Sequence, residues 1–156
     1  MGLIRVVRGT ANAPTRMASY DAALAEAGIH NYNLVAVSSV IPTGAHVERV
    51  GTAPDLGPAG ERLTVVEARA TVESGTAVAG LAWATEADGR GIFYEAGGID
   101  ELEVRARLEE GLAAGKALRD WTFVDEGREL VAVDAASDGY ATAVALAVYG
   151  ESAPLL

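Results

Sequence analysis

The chain has 156 residues, half of them hydrophobic, with 22 acids against 12 bases and a formal charge of −10. That length makes one domain, residues 1–156, the expectation, and the charge excludes the basic footprint that nucleic acid or an anionic membrane surface would need. The absence of cysteine excludes disulfides, thiolate nucleophiles and cysteine metal sites, and two histidines are too few for a zinc cluster by themselves.

Lys116 is the single lysine; the other bases are arginines. The acidic balance suits a cationic ligand, and it equally suits the proteome-wide acidity of a salt-adapted source. With 18 glycines and only 6% aromatics, small side chains must do much of the packing. The opening MGLIRVVRGT turns polar too soon for a signal peptide, and no run approaches transmembrane length. A cytoplasmic protein without nucleic-acid or membrane partners is therefore expected.

In chain order, residues 3–7 read as a strand and residues 9–14 as a loop of turn formers. Thr15 is an N-cap for a helix that runs to residue 27 and is closed by Gly28. Met17, Tyr20, Leu24 and Ala27 recur at helical spacing as its apolar stripe, with Asp21 on the border. A strand over 33–40 follows. Residues 42–60, with Pro42, Pro54, Pro58 and four glycines, read as a loop.

From residue 63 to 72 the pattern alternates. Val66, Ala68, Ala70 and Val72 face one way, and Glu67, Arg69 and Thr71 the other, as in a strand with one wet face. Ser74-Gly75 turns into 76–85, small and apolar throughout and so a buried strand. Asp88-Gly89 turns again into Ile92, Phe93, Tyr94 and Glu95, and Gly97-Gly98 stops that strand. Asp100 and Glu103 have capping-box spacing for a helix reaching about residue 119. Its buried face is Val104, Leu108, Leu112, Gly115 and Leu118. Strands over 121–133 and 140–149 close the chain, around the turn Ser137-Asp138-Gly139. Several strands, two helices and many tight turns make an α+β layered sandwich.

Ser38 and Ser39 stand at the end of an apolar strand, just before Pro42. A serine pair alone is most often structural, its hydroxyls bonding nearby backbone. Hydrolase chemistry is not indicated: no G-x-S-x-G elbow is present and neither histidine has a triad partner. A serine in strained backbone has another course. Its hydroxyl can attack the preceding carbonyl, turn the amide into an ester, and lose that ester by β-elimination. Hydrolysis then leaves a pyruvoyl group, a carbonyl able to act as an electron sink.

The run SYDAALAEAGIHNYNLVAVSSVIP resembles the pyruvoyl-dependent arginine decarboxylases. The matching elements are Asp21 on a helix ending in Ala27-Gly28-Ile29, then Asn31-Tyr32-Asn33-Leu34, Ser38-Ser39 and Ile41-Pro42. A second match, GIFYEAGG, carries Glu95 before the long helix. The resemblance covers most of the chain and is most specific from Tyr20 to Pro42.

It implies a four-layer αββα sandwich with mostly antiparallel sheets, assembled as a homotrimer with sites between neighbours. It implies self-cleavage between Ser38 and Ser39, with the covalent pyruvoyl group made from Ser39 and no metal. Arginine would form a Schiff base with that group, lose CO₂ and leave as agmatine. Glu95 matches the catalytic glutamate that protonates Cα; at the end of an apolar strand its carboxyl is expected in apolar surroundings, which favour the protonated form. Asp21 matches the aspartate that pairs with the guanidinium, a planar group suited to a bidentate carboxylate. Asn33 matches an asparagine near the cleavage site, which either polarises the attacked carbonyl or holds the substrate carboxylate. The alternatives are a decarboxylase of another amino acid, with a different contact at Asp21, and an uncleaved structural or regulatory relative.

Overall fold

The computed structural model describes residues 2–156. Its elements in chain order are β1 (Gly2–Ala13), α1 (Arg16–Ala27), β2 (Asn33–Ala36), β3 (Val40–Ile41), β4 (Ala45–Gly51), β5 (Arg62–Val72), β6 (Thr76–Glu86), β7 (Gly91–Gly98), α2 (Glu101–Ala117), β8 (Phe123–Asp134) and β9 (Tyr140–Tyr149). One sheet has the order β2-β5-β9-β1-β4 and the other β3-β7-β6-β8. The second sheet is antiparallel throughout. In the first, the inner pairs are antiparallel and the two edge strands, β2 and β4, join in parallel.

The core has three sections, which define four layers: helix, sheet, sheet, helix. Val7, Leu24, Ala27, Leu63, Val144 and Leu146 pack between α1 and the first sheet. Val66, Leu81, Trp83, Phe93, Ala143 and Ala145 lie between the sheets. Val78, Ile92, Val104, Leu108 and Leu112 pack between α2 and the second sheet. This is the αββα sandwich that the resemblance implies.

β9 shows how the sequence builds these layers. Successive side chains on a strand point to opposite faces. Ala141, Ala143, Ala145 and Ala147 therefore face the second sheet, while Val144, Leu146 and Val148 face α1. Alanine on one side lets the sheets approach; larger aliphatics on the other fill the space under a helix.

Both helix starts follow the sequence. The Thr15 hydroxyl accepts from the Ala18 N–H at 3.1 Å, and Asp100 accepts from Leu102 and Glu103. Gly28 closes α1 in the left-handed conformation, φ 82°.

Elsewhere the structure differs from the sequence reading. Residues 9–13 continue β1 rather than forming a loop, paired with β9 as far as Ala13. Gly9 is there for close approach: a Cβ would lie 1.9 Å from the Ala23 carbonyl oxygen of α1. The inward face of α1 is Ser19, Ala23, Leu24 and Ala27, whereas Met17 is 72% exposed. Within 42–60, β4 pairs in parallel with β1. Its apolar positions Ala45 and Val47 alternate with His46 and Glu48, a charged edge too short to stand out among prolines and glycines. α2 ends at Ala117, so Leu118 lies beyond the buried face and is 81% exposed. β8 begins two residues later than expected. Among the described residues, no helix is long and apolar enough to cross a membrane.

The most consequential difference concerns 33–40. This is not one strand. β2 belongs to the first sheet and β3 to the second. Ser38 and Ser39 form the step by which the chain changes sheets.

Candidate active site

Upstream of this step, the Val37 N–H still donates to the Val65 carbonyl at 3.0 Å, the last bond to the first sheet. Downstream, the Ser39 carbonyl accepts from the Phe93 N–H at 2.8 Å, and Val40 pairs with Ile92. Ser39 thus spans two fixed points. Its φ is 62°, and it is the only non-glycine residue with positive φ among those described. A side chain in that region costs on the order of 1–3 kcal/mol and persists only where the surroundings enforce it.

The Ser39 hydroxyl donates to Glu95 Oε2 at 3.1 Å. Glu95 lies on β7, two residues beyond the buried ring of Phe93 and so on the same strand face. Ser38, Ser39, Phe93, Tyr94, Glu95 and Arg119 surround a cleft of about 220 Å³. Glu95 does not have the apolar enclosure expected of it; in the single chain it is exposed. The edge strands here have only four and two residues, so the rim of both sheets is open beside it.

Two further side chains carry no motif in the sequence: Arg119 lines this cleft, and Tyr149 touches the residues that form it. The Tyr149 hydroxyl donates to the Val40 carbonyl at 2.9 Å, and its ring packs against Phe93 at 6.2 Å between centroids. Burial, and after it the Glu95 charge, pushes the Tyr149 phenol well above its ordinary pKa. Arg119 donates to the Gly115 carbonyl at 2.8 Å and lies 5.5 Å from the Trp121 ring centre. An arginine followed two residues later by tryptophan is a weak signal, and a tyrosine ending an apolar strand is none.

Asp21 and Asn33 are not at this cleft. They line a second, open concavity of about 510 Å³ with Tyr20, His30 and Tyr32. Asp21 is exposed on α1. Asn33 opens β2, and its amide donates to the Gly60 carbonyl at 2.8 Å. The Tyr32 hydroxyl donates to the Gly57 carbonyl and accepts from the Leu56 N–H, so the loop after β4 is fastened to this wall. The Tyr20 hydroxyl donates to Glu67 at 2.5 Å; burial and that bond raise its pKa to about 12. β2 alone advances roughly 10 Å from Asn33 to Ala36 at the usual strand rise. One chain therefore presents two separate concavities: one carrying the Asp21 carboxylate, and the cleft where Ser39 meets Glu95.

Comparison with known proteins gives the family. The family model for pyruvoyl-dependent arginine decarboxylase matches residues 3–154. A pyruvoyl-dependent arginine decarboxylase of Halobacterium salinarum is 51% identical over 159 residues, spanning 99% of this chain and 98% of the relative. One of Pyrococcus horikoshii is 32% identical over 128 residues, spanning 76% of this chain and 80% of the relative. The chain belongs to the pyruvoyl-dependent arginine decarboxylase family.

Proposed function

We propose that this protein decarboxylates L-arginine to agmatine and CO₂, using a pyruvoyl group that it makes from its own Ser39. The observation that carries this reading is the state of Ser39: left-handed backbone, at the step between two sheets, with its hydroxyl on Glu95.

Maturation follows from that geometry. The Ser39 Oγ attacks the Ser38 carbonyl carbon, closing a five-membered ring through Cβ, Cα and N. Glu95 receives the hydroxyl proton, and the Ser39 nitrogen takes up a proton as the Ser38–Ser39 C–N bond breaks. The strained φ is relieved in this step, which lowers its barrier. Loss of the residue-39 Cα proton then expels the Ser38 carboxylate from Cβ. The resulting enamine becomes an imine, and water replaces its nitrogen, which leaves as ammonia. The residues present fit such a group. Position 39 opens on a cleft, its carbonyl is held by Phe93, and a carboxyl stands beside it.

Once formed, the pyruvoyl group supplies a ketone that takes the substrate amine as a Schiff base and draws off the electron pair left by CO₂. Glu95 then hands a proton to the substrate Cα, which a positioned carboxyl does at about 10²- to 10⁴-fold advantage. Asp21 takes the guanidinium through paired hydrogen bonds. Asn33 stands in the same concavity and holds the polar end of the substrate. Because Asp21 and Ser39 occupy separate concavities, the complete site forms between neighbouring chains of a homotrimer, each contributing one half.

The test is release of CO₂ from carboxyl-labelled amino acids by the purified chain. Arginine is expected to yield CO₂ and agmatine, and ornithine and lysine none. Equal release from lysine or ornithine would remove the assignment of Asp21 as a guanidinium partner.

A further inference from the structure

β3 is an edge strand of two residues, bonded on one side to β7. In antiparallel pairing, successive carbonyls point alternately toward and away from the partner. Ser39 offers its carbonyl to Phe93 of β7. The carbonyl of Val40 is then turned away, and the sheet provides it no partner. Tyr149 provides one, at 2.9 Å. Tyr149 ends β9, in the other sheet. Its hydroxyl therefore fastens the first residue after the serine pair to the sheet that the chain has just left.

This bond has two consequences. Before cleavage, the Val37–Val65 bond fixes one side of Ser39, and the Phe93 and Tyr149 bonds fix the other. The segment between them is too short to relax, so Ser39 keeps its left-handed φ. After cleavage, β3 has no covalent link to β2. Two residues of edge pairing and the Tyr149 hydroxyl then hold the new chain end. The phenol's raised pKa keeps it a donor throughout the neutral and mildly alkaline range.

We propose that Tyr149 is a positioning residue for self-cleavage and for the mature site: by holding the Val40 carbonyl it enforces the Ser39 conformation that permits attack on Ser38, and it keeps the new chain end beside Glu95. This rests on the reading of Ser39 as the pyruvoyl precursor.

The test compares wild type, Tyr149→Phe and the N-cap variant Thr15→Ala, which loses stability on α1, outside the cleft. Fragment formation is followed by denaturing mass spectrometry, with and without hydroxylamine, which splits an ester at Ser39. Tyr149→Phe keeps the ring contact with Phe93 and removes only the hydroxyl. It is expected to cleave at least tenfold more slowly than wild type, with no build-up of hydroxylamine-sensitive ester, because the block precedes ester formation. Its cleaved fraction is expected to show a lower kcat for arginine at unchanged KM. Thr15→Ala is expected to melt earlier and cleave at the wild-type rate. If Tyr149→Phe matches wild type in cleavage and kcat, the proposal fails while the reading of Ser39 stands. If Thr15→Ala slows as much for the same loss of stability, the hydroxyl acts only through stability and the proposal also fails. A wild-type chain that stays whole removes both.

Discussion

Ser39 is unusual first of all in its backbone. Ser19 and Ser152 bridge neighbouring segments: the Ser19 hydroxyl donates to the Arg16 carbonyl and bonds Thr142, and the Ser152 hydroxyl bonds the Leu56 carbonyl and Glu61. Ser39 instead has a φ that glycine occupies easily and serine does not. Its hydroxyl meets a carboxylate that lies 56 residues along the chain. On the proposed reading, Glu95 acts after maturation as a proton donor. Glu95→Gln should therefore lower kcat by about 10²- to 10⁴-fold when activity is normalised to the cleaved fraction. Steady-state kinetics on fragment-quantified enzyme check this, and near-wild-type kcat would assign the proton to another group. The sequence singles out the serine pair, Glu95, Asp21 and Asn33 as candidates because each lies in a motif, and the structure brings only the serine pair and Glu95 into one cleft. Tyr149 was not, since its partner Val40 is 109 residues away and the contact depends on which sheet each strand joins.

At the scale of elements, periodicity found what lies inside and mistook what lies at edges. β6 and β9 were readable because their apolar runs are long, and β5 because its pattern alternates. β4 was not, because an edge strand alternates weakly and carries charge. Gly9 misled for a related reason. Glycine marks turns, but here it marks a place where α1 lies directly against β1. Gly9→Ala should force the helix off the sheet and cost about 1–3 kcal/mol as an overpacking change. Thermal melting should register this as a fall of about 2–4 °C per kcal/mol for a chain of this size. An unchanged melting temperature would mean that the α1–β1 approach is looser than 1.9 Å implies. The break of 33–40 into β2 and β3 is the same kind of failure: an apolar run ending in Ser-Ser reads as one strand, and only the two sheets together show where it divides.

For the whole molecule, the point of interest is that one chain does not bring its candidate residues together. Asp21 and Asn33 share one concavity, and Ser38, Ser39 and Glu95 share another. A site built between neighbours should therefore be rescued by mixing defects. Co-expressed Ser39→Ala and Asp21→Asn chains, assayed at low arginine, should together exceed the activity of either alone, because some interfaces pair an intact Asp21 with an intact Ser39. Activity no higher than the parents' would place the whole site within one chain. The acidic net charge of −10 fits a cationic substrate but does not by itself select arginine. The central claim is that Ser39 makes its own cofactor, and intact mass under denaturing conditions, before and after borohydride, tests it most directly. The account predicts two fragments, residues 1–38 and 39–156, with the larger one lacking a free amine and gaining two hydrogens on reduction, and a single uncut species for Ser39→Ala. A wild-type chain that stays at full length, or a Ser39→Ala chain that still splits, would contradict it.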